Sequence, residues 1–96
     1  MRLIIGAREY GSGLVTSNYV GAKQLIREYP ISVLQVVQPV SSRESLLGFL
    51  AWCKGKRLLP AQVVLNQVSP EDRRQAMHYL VERGYRTTDR VTFIKV

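Results

Sequence analysis

Few residues in this chain could carry out chemistry. It holds one histidine, His78, and one cysteine, Cys53, beside seven acidic and fourteen basic side chains. His78 falls off the Met77/Leu80/Val81 stripe of its helix, and Asp72 and Glu82 do not form a recognisable triad with it. Cys53 lies on or beside the apolar arc of another helix, the setting of an inert buried thiol. No Cys/His set has zinc spacing. Gly6 and Gly11 have the Gly-x4-Gly spacing of a phosphate-cradling loop. Ser12, however, replaces the lysine such a loop requires, and no strand ends in a magnesium-binding aspartate. The residues therefore predict a flexible loop at Gly6 to Gly13, and no catalytic residue, metal or cofactor.

Binding is better represented than catalysis. The formal net charge is +7 and the isoelectric point near 10.1, a bias toward anionic partners. Arg27, Lys54, Lys56, Arg57, Arg83 and Arg86 all fall at or after the ends of predicted helices. In a parallel α/β unit those ends share one rim of the sheet. Cations there complement helix dipoles, and they also form a positive rim that suits nucleic acid or an acidic protein. Tyr29 and Tyr85 are the aromatic residues interleaved with them. A second candidate is an anion or ligand site at Gly6, Arg8, Asn66, Gln67 and Ser69, where the carboxyl ends of the first and third strands would flank a topological switch point. A third is the apolar run from Leu46 to Cys53. There Phe49 and Trp52 are candidate anchors for a protein partner or a second copy of this chain.

The elements that must position these residues alternate. Leu3, Ile4 and Ile5 form a contiguous apolar strand ended by Gly6. Thr16 or Ser17 caps a helix from about Asn18 to Glu28, closed by Tyr29-Pro30. Ile31 to Val37 is the next strand. Ser41 and Glu44 make a capping box for a helix from about Ser42 to Cys53, with Gly55 as its C-cap. Val63 to Leu65 starts a third strand. Ser69 caps the following helix, Pro70 suits its first position, and Gly84 ends it. Val91 to Val96 is a last strand, either parallel or in a hairpin with Tyr85-Arg86.

The order β-α-β-α-β-α-β predicts a small three-layer α/β domain with a mostly parallel, receiver- or flavodoxin-like sheet. Its first three strands are expected in the order 2-1-3, with the last strand beside the third at an edge. Ninety-six residues make one domain with one small core. No apolar run approaches the roughly 20 residues of a membrane span, and the N-terminal apolar run is too short for a signal peptide. A cytoplasmic protein with no membrane partner is the expectation.

The element order, with Leu3-Ile4-Ile5-Gly6-Ala7-Arg8-Glu9, Val33 to Pro39, and Val64-Leu65-Asn66-Gln67-Val68-Ser69-Pro70 followed by Met77, resembles the cyclic-phosphate processing receiver domains of bacteria and phages. The resemblance is one of pattern over nearly the whole chain. The family's first strand runs into two aspartates and a glutamate, where this chain has Gly6, Ala7 and the retained Glu9. Gln35 to Gln38 contains no acid or histidine, and Asn66 stands at the histidine position of the third strand. A receiver centre needs clustered carboxylates for its cation, so the resemblance implies a member whose active centre is lost. The leading reading is a non-catalytic binding or regulatory module, an adaptor or inhibitor acting by protein contact. The alternatives are an RNA- or nucleotide-binding protein using the basic rim, and a phosphate-processing enzyme. Because the third helix depends on its cap, Ser69→Ala is expected to cost about 1 kcal/mol. Urea denaturation measures this, and an unchanged midpoint would place the helix start elsewhere.

Overall fold

The computed structural model describes residues 1–6 and 13–96. In chain order the elements are β1 (Arg2–Gly6), β2 (Leu14–Thr16), α1 (Tyr19–Glu28), β3 (Val33–Val37), α2 (Leu46–Gly55), β4 (Gln62–Gln67), α3 (Pro70–Glu82), β5 (Tyr85–Arg86) and β6 (Thr92–Lys95). They form one six-stranded sheet in the order β2-β1-β3-β4-β6-β5. The β2/β1, β1/β3 and β3/β4 pairs are parallel, whereas β6 runs antiparallel to both β4 and β5. The sheet is thus mixed, not mostly parallel.

The strand order corrects the sequence expectation. The strand at Val33–Val37 lies between Arg2–Gly6 and Gln62–Gln67, so the first and third predicted strands are not neighbours. The last strand does lie beside the third, but β5 takes the edge and β6 is interior. Strand β2 was not anticipated, because three residues are too few to show a period.

Crossover direction explains the layers. The steps β2 to β3 through α1, β3 to β4 through α2, and β4 to β5 through α3 all move the same way across the sheet between strands that point the same way. Right-handed crossovers then place all three helices on one face. One hydrophobic cluster accordingly joins Leu3, Ile5, Leu34, Val36, Val63, Leu65 and Phe93 of the sheet to Ala22 and Ile26 of α1, Phe49 and Leu50 of α2, and Ala76 and Leu80 of α3. The described elements make two layers instead of three. The alternate strand positions face away from the helices. Ile4 and Val37 are buried there, outside the main cluster, while Asn66 and Ile94 are exposed.

Local signals explain the helix starts. Asn18 caps α1, its Oδ1 accepting the Gly21 N–H at 2.7 Å; Thr16 is already committed to β2. Ser45, not Ser41, caps α2 and accepts from Gly48 N–H at 2.9 Å. The reason is the apolar stripe. Leu46, Phe49, Leu50 and Cys53 recur at i, i+3, i+4 and i+7 and are all buried, so a helix begun at Ser42 would add only polar residues ahead of it. Ser69 caps α3 as expected, with Asp72 N–H donating to its Oγ at 3.3 Å, and Gly84 takes φ +92 after the helix. Gly6 is required by packing, since a Cβ there would lie 1.7 Å from the Val37 carbonyl oxygen.

At the far end of the core, the Tyr85 hydroxyl donates to the Pro60 carbonyl. Burial pushes the Tyr19 and Tyr85 phenols and the Cys53 thiol up to about 12, from ordinary values of 10.0, 10.0 and 9.0. The folded chain therefore keeps protons that the unfolded chain releases. Stability should be fully present below about pH 9 and decline as pH rises toward 12. A urea midpoint that stays flat above pH 9 would contradict this. Tyr85→Phe should cost about 1–3 kcal/mol at neutral pH by leaving the Pro60 carbonyl unpaired, and should also soften the alkaline decline.

Candidate functional site

The register row Arg2, Val33, Gln62, Ile94 and Arg86 crosses the sheet from β1 to β5 at one end. This end receives the C-terminus of every helix, because each helix returns the chain to the start of a strand here. Arg27 lies in the last turn of α1 and Lys54 in the last turn of α2. Lys56 and Arg57 follow α2, Arg83 caps α3, and Arg86 is in β5. The structure thus brings together all six basic residues predicted for the rim. It adds Lys95, which the antiparallel course of β6 carries to the same end. That residue was missed because the orientation of the last strand could not be read from the sequence.

Electrostatically the two ends of the sheet differ. At this end eight basic side chains, Arg2 included, face two carboxylates, Glu28 and Glu82. The other four described acids lie at the opposite end and each is engaged. Glu44 pairs with Lys23 at 2.8 Å and Glu71 with Arg74 at 2.8 Å. Asp72 accepts from Gln38 Nε2 at 2.7 Å, and Asp89 Oδ1 accepts the Val91 and Thr92 N–H groups at 2.9 Å each.

The rim cations are not equivalent. Arg83 folds back onto its own helix: Nη1 donates to the Tyr79 carbonyl at 3.0 Å, the guanidinium lies 3.6 Å from the Tyr79 ring centroid, and Glu82 is 3.7 Å away. It serves the end of α3 rather than an outside ligand, which corrects its place in the predicted binding set. Arg27, Lys54, Lys56, Arg57, Arg86 and Lys95 are exposed. None of the six has an ion-pair partner among the described residues.

Arg57 occupies an unusual backbone position. Its N–H donates to the Lys54 carbonyl at 3.1 Å and the next N–H, of Leu58, donates to the Cys53 carbonyl at 2.8 Å. This is a Schellman termination with Lys56 as C-cap, in place of the Gly55 cap predicted, and its left-handed residue is Arg57 at φ 59.

The anion site predicted at the opposite end is dispersed. Arg8 lies outside the described residues, as does Glu9. Gly6 is two strands from Gln67, with Val37 between them in the register row. No switch-point crevice forms between β1 and β4, because β3 separates them. Asn66 faces away from the helices in a row of polar contacts: Arg2 Nη1 donates to Gln35 Oε1 at 2.7 Å and Gln35 Nε2 to Asn66 Oδ1 at 3.4 Å. Ser69 is occupied by its capping bond, and its own N–H donates to Gln38 Oε1 at 2.6 Å. Gln38, which sequence reasoning passed over, thus clamps the start of α3 with both ends of its amide.

Phe49 is fully buried, stacked on Tyr19 at a centroid distance of 4.8 Å, and offers no surface to a partner. This corrects its assignment as an anchor, since it belongs to the core stripe of α2. Trp52 is half-buried. It stacks on Phe49 at 6.5 Å, and Lys23 and Arg27, four residues apart on α1, lie 5.2 and 5.8 Å from its ring centroid.

Among the described residues, no three His, Cys, Asp or Glu side chains are grouped so that they could hold a metal ion, and no helix is long and apolar enough to cross a membrane. No protein-family model, curated protein or solved structure matches the chain.

The contrast between Phe49 and Trp52 is measurable. Phe49→Ala should cost about 3–5 kcal/mol and Trp52→Ala about 1–2 kcal/mol. Denaturant titration of both variants checks the order. A larger loss for Trp52 would place the weight of the α1–α2 contact on the indole.

Proposed function

We propose that this chain is a non-catalytic binding module that takes a nucleic acid on its basic rim. The observation that carries this reading is the collection of cations at one end of the sheet. Six exposed cations without ion-pair partners among the described residues occupy the end of the sheet where the helices terminate, and the carboxylates at the other end are locally satisfied. Dipole complementarity alone accounts for one cation per helix end, such as Arg83 on the Tyr79 carbonyl. It does not account for Arg86 and Lys95, which lie on strands, or for an arginine at the left-handed position after α2. A row of unneutralised cations gains most from a polyanion, through release of condensed counterions. Arg57 and Arg86 also bring the planar donor forks that suit phosphate. The adaptor reading by protein contact loses its Phe49 anchor and retains only the half-buried Trp52.

Binding of a labelled single-stranded oligonucleotide, followed by fluorescence anisotropy across a salt series, tests the proposal. The expected slope of log affinity against log salt is about −4 for roughly six phosphate contacts. Reversing Lys56 and Arg57 to glutamate should weaken binding at least tenfold at low salt without unfolding the chain. Arg57→Gly should lower the slope magnitude by about one. Absence of binding at low salt or a salt-independent affinity would each refute the nucleic-acid reading.

A further inference from the structure

A second cationic feature lies at the other end of the sheet and is independent of the rim. The first two turns of α3 and the turn between β5 and β6 enclose a cavity of about 360 Å³, lined by Pro70, Arg73, Arg74, Met77, Asp89 and Arg90. Its volume falls within the range of small-ligand clefts. Three of the six lining residues are arginines, and their surroundings differ. Arg74 is neutralised by Glu71, with Nη2 2.8 and 2.9 Å from the two carboxylate oxygens. Arg73 and Arg90 have no carboxylate partner among the described residues, and Arg73 is only partly exposed.

Asp89 is ionised and offsets part of the arginine charge, but it forms no ion pair with Arg73 or Arg90. Its Oδ1 accepts the N–H groups of Val91 and Thr92 at 2.9 Å each and the Thr87 hydroxyl at 3.3 Å. Those bonds hold its carboxyl below the usual carboxylate range and commit it to shaping the turn. At the start of α3 the Ser69 and Asp72 N–H groups are taken by Gln38 and Ser69. The positive potential comes from arginine side chains. Arg90 is the second non-glycine residue with a left-handed backbone, at φ 63.

We infer that this cleft binds a phosphate monoester, with the phosphate held by Arg73 and Arg90 and the organic group against Pro70 and Met77. Two guanidinium forks provide the planar, paired donors that phosphate oxygens accept. The proline ring and the methionine side chain give an apolar wall beside them. A partly buried, uncompensated guanidinium is offset when a dianion enters, so the site is complementary to the ligand's charge as well as to its shape.

The test is an amide-resolved NMR titration of the full chain with phenyl phosphate and, separately, with inorganic phosphate. Saturable shifts are expected at residues 71–77 and 89–91, with phenyl phosphate the tighter ligand. Arg73→Ala and Arg90→Gly should each weaken binding about tenfold. The glycine variant doubles as a folding control. It relieves the left-handed backbone and should unfold at no lower temperature than the parent. Shifts centred on residues 54–57, no saturation, or unaltered affinity in both variants would overturn the site. Equal affinity for the two probes would overturn its apolar wall and hence the monoester assignment.

Discussion

The right-handedness of β–α–β crossovers governs almost everything else in this molecule. Three successive helices connect strands pointing one way, and each connection steps in one direction across the sheet. Handedness then leaves the helices no choice of face. A single cluster, from Leu3 on β1 to Phe93 on β6, is buried between that face and the three helices. The parallel direction of the connected strands sends every helix C-terminus to one end of the sheet. Cations placed locally for each helix end become a continuous rim because topology brings those ends together. The lone reversed strand, β6, completes the rim by returning Lys95 to it. The gathering of cations on the rim is thus a consequence of chain direction, and basic side chains need only occupy the positions that topology has collected.

What could be read from the sequence follows how local each signal is. The unit from Gln62 to Gly84 was legible in detail because its determinants are adjacent. Ser69, Pro70 and Gly84 each act on backbone within a few residues, and all three do so in the fold. The start of α2 was misplaced because two serine caps compete four residues apart. Ser41-x-x-Glu44 satisfies the capping-box pattern, yet the buried stripe begins at Leu46 and favours Ser45. Glu44, left outside the helix, pairs with Lys23 on α1 instead. Strand order was not legible, since it depends on which apolar strands pair, and β1, β3 and β4 carry similar β-branched runs. The layer count failed with it.

For the binding surfaces, sequence position was enough to gather the rim but not to rank its members. Arg83 and Arg57 look alike in the chain, each just beyond a helix. One turns back to its own helix carbonyl and the other extends from a left-handed turn. Helical geometry correctly set Trp52 off the core stripe, but the partner that covers its ring is α1, through Lys23 and Arg27. A contact between helices separated by a strand leaves no periodic trace in either. Arg73 and Arg90 went unnoticed for the same reason, since they stand seventeen positions apart in the chain and only the fold closes the cleft.

The two left-handed arginines deserve a common account. For a residue with a Cβ, that conformation costs roughly 1–2 kcal/mol, and glycine or asparagine is the usual solution. The chain uses glycine at Gly84, where a helix ends with φ +92 and no charge is at stake. At Arg57 and Arg90, the only two non-glycine residues of positive φ among those described, it retains arginine instead. One stands on the rim and the other in the α3 cleft, and neither has an ion-pair partner among the described residues. A backbone outlier is evidence for function when the residue's side chain has a task the cheaper residue could not perform. Glycine would preserve the turn at both positions and delete the charge, so the retained arginines support the proposed anion binding at each end of the sheet, by separate surfaces and for ligands of different size.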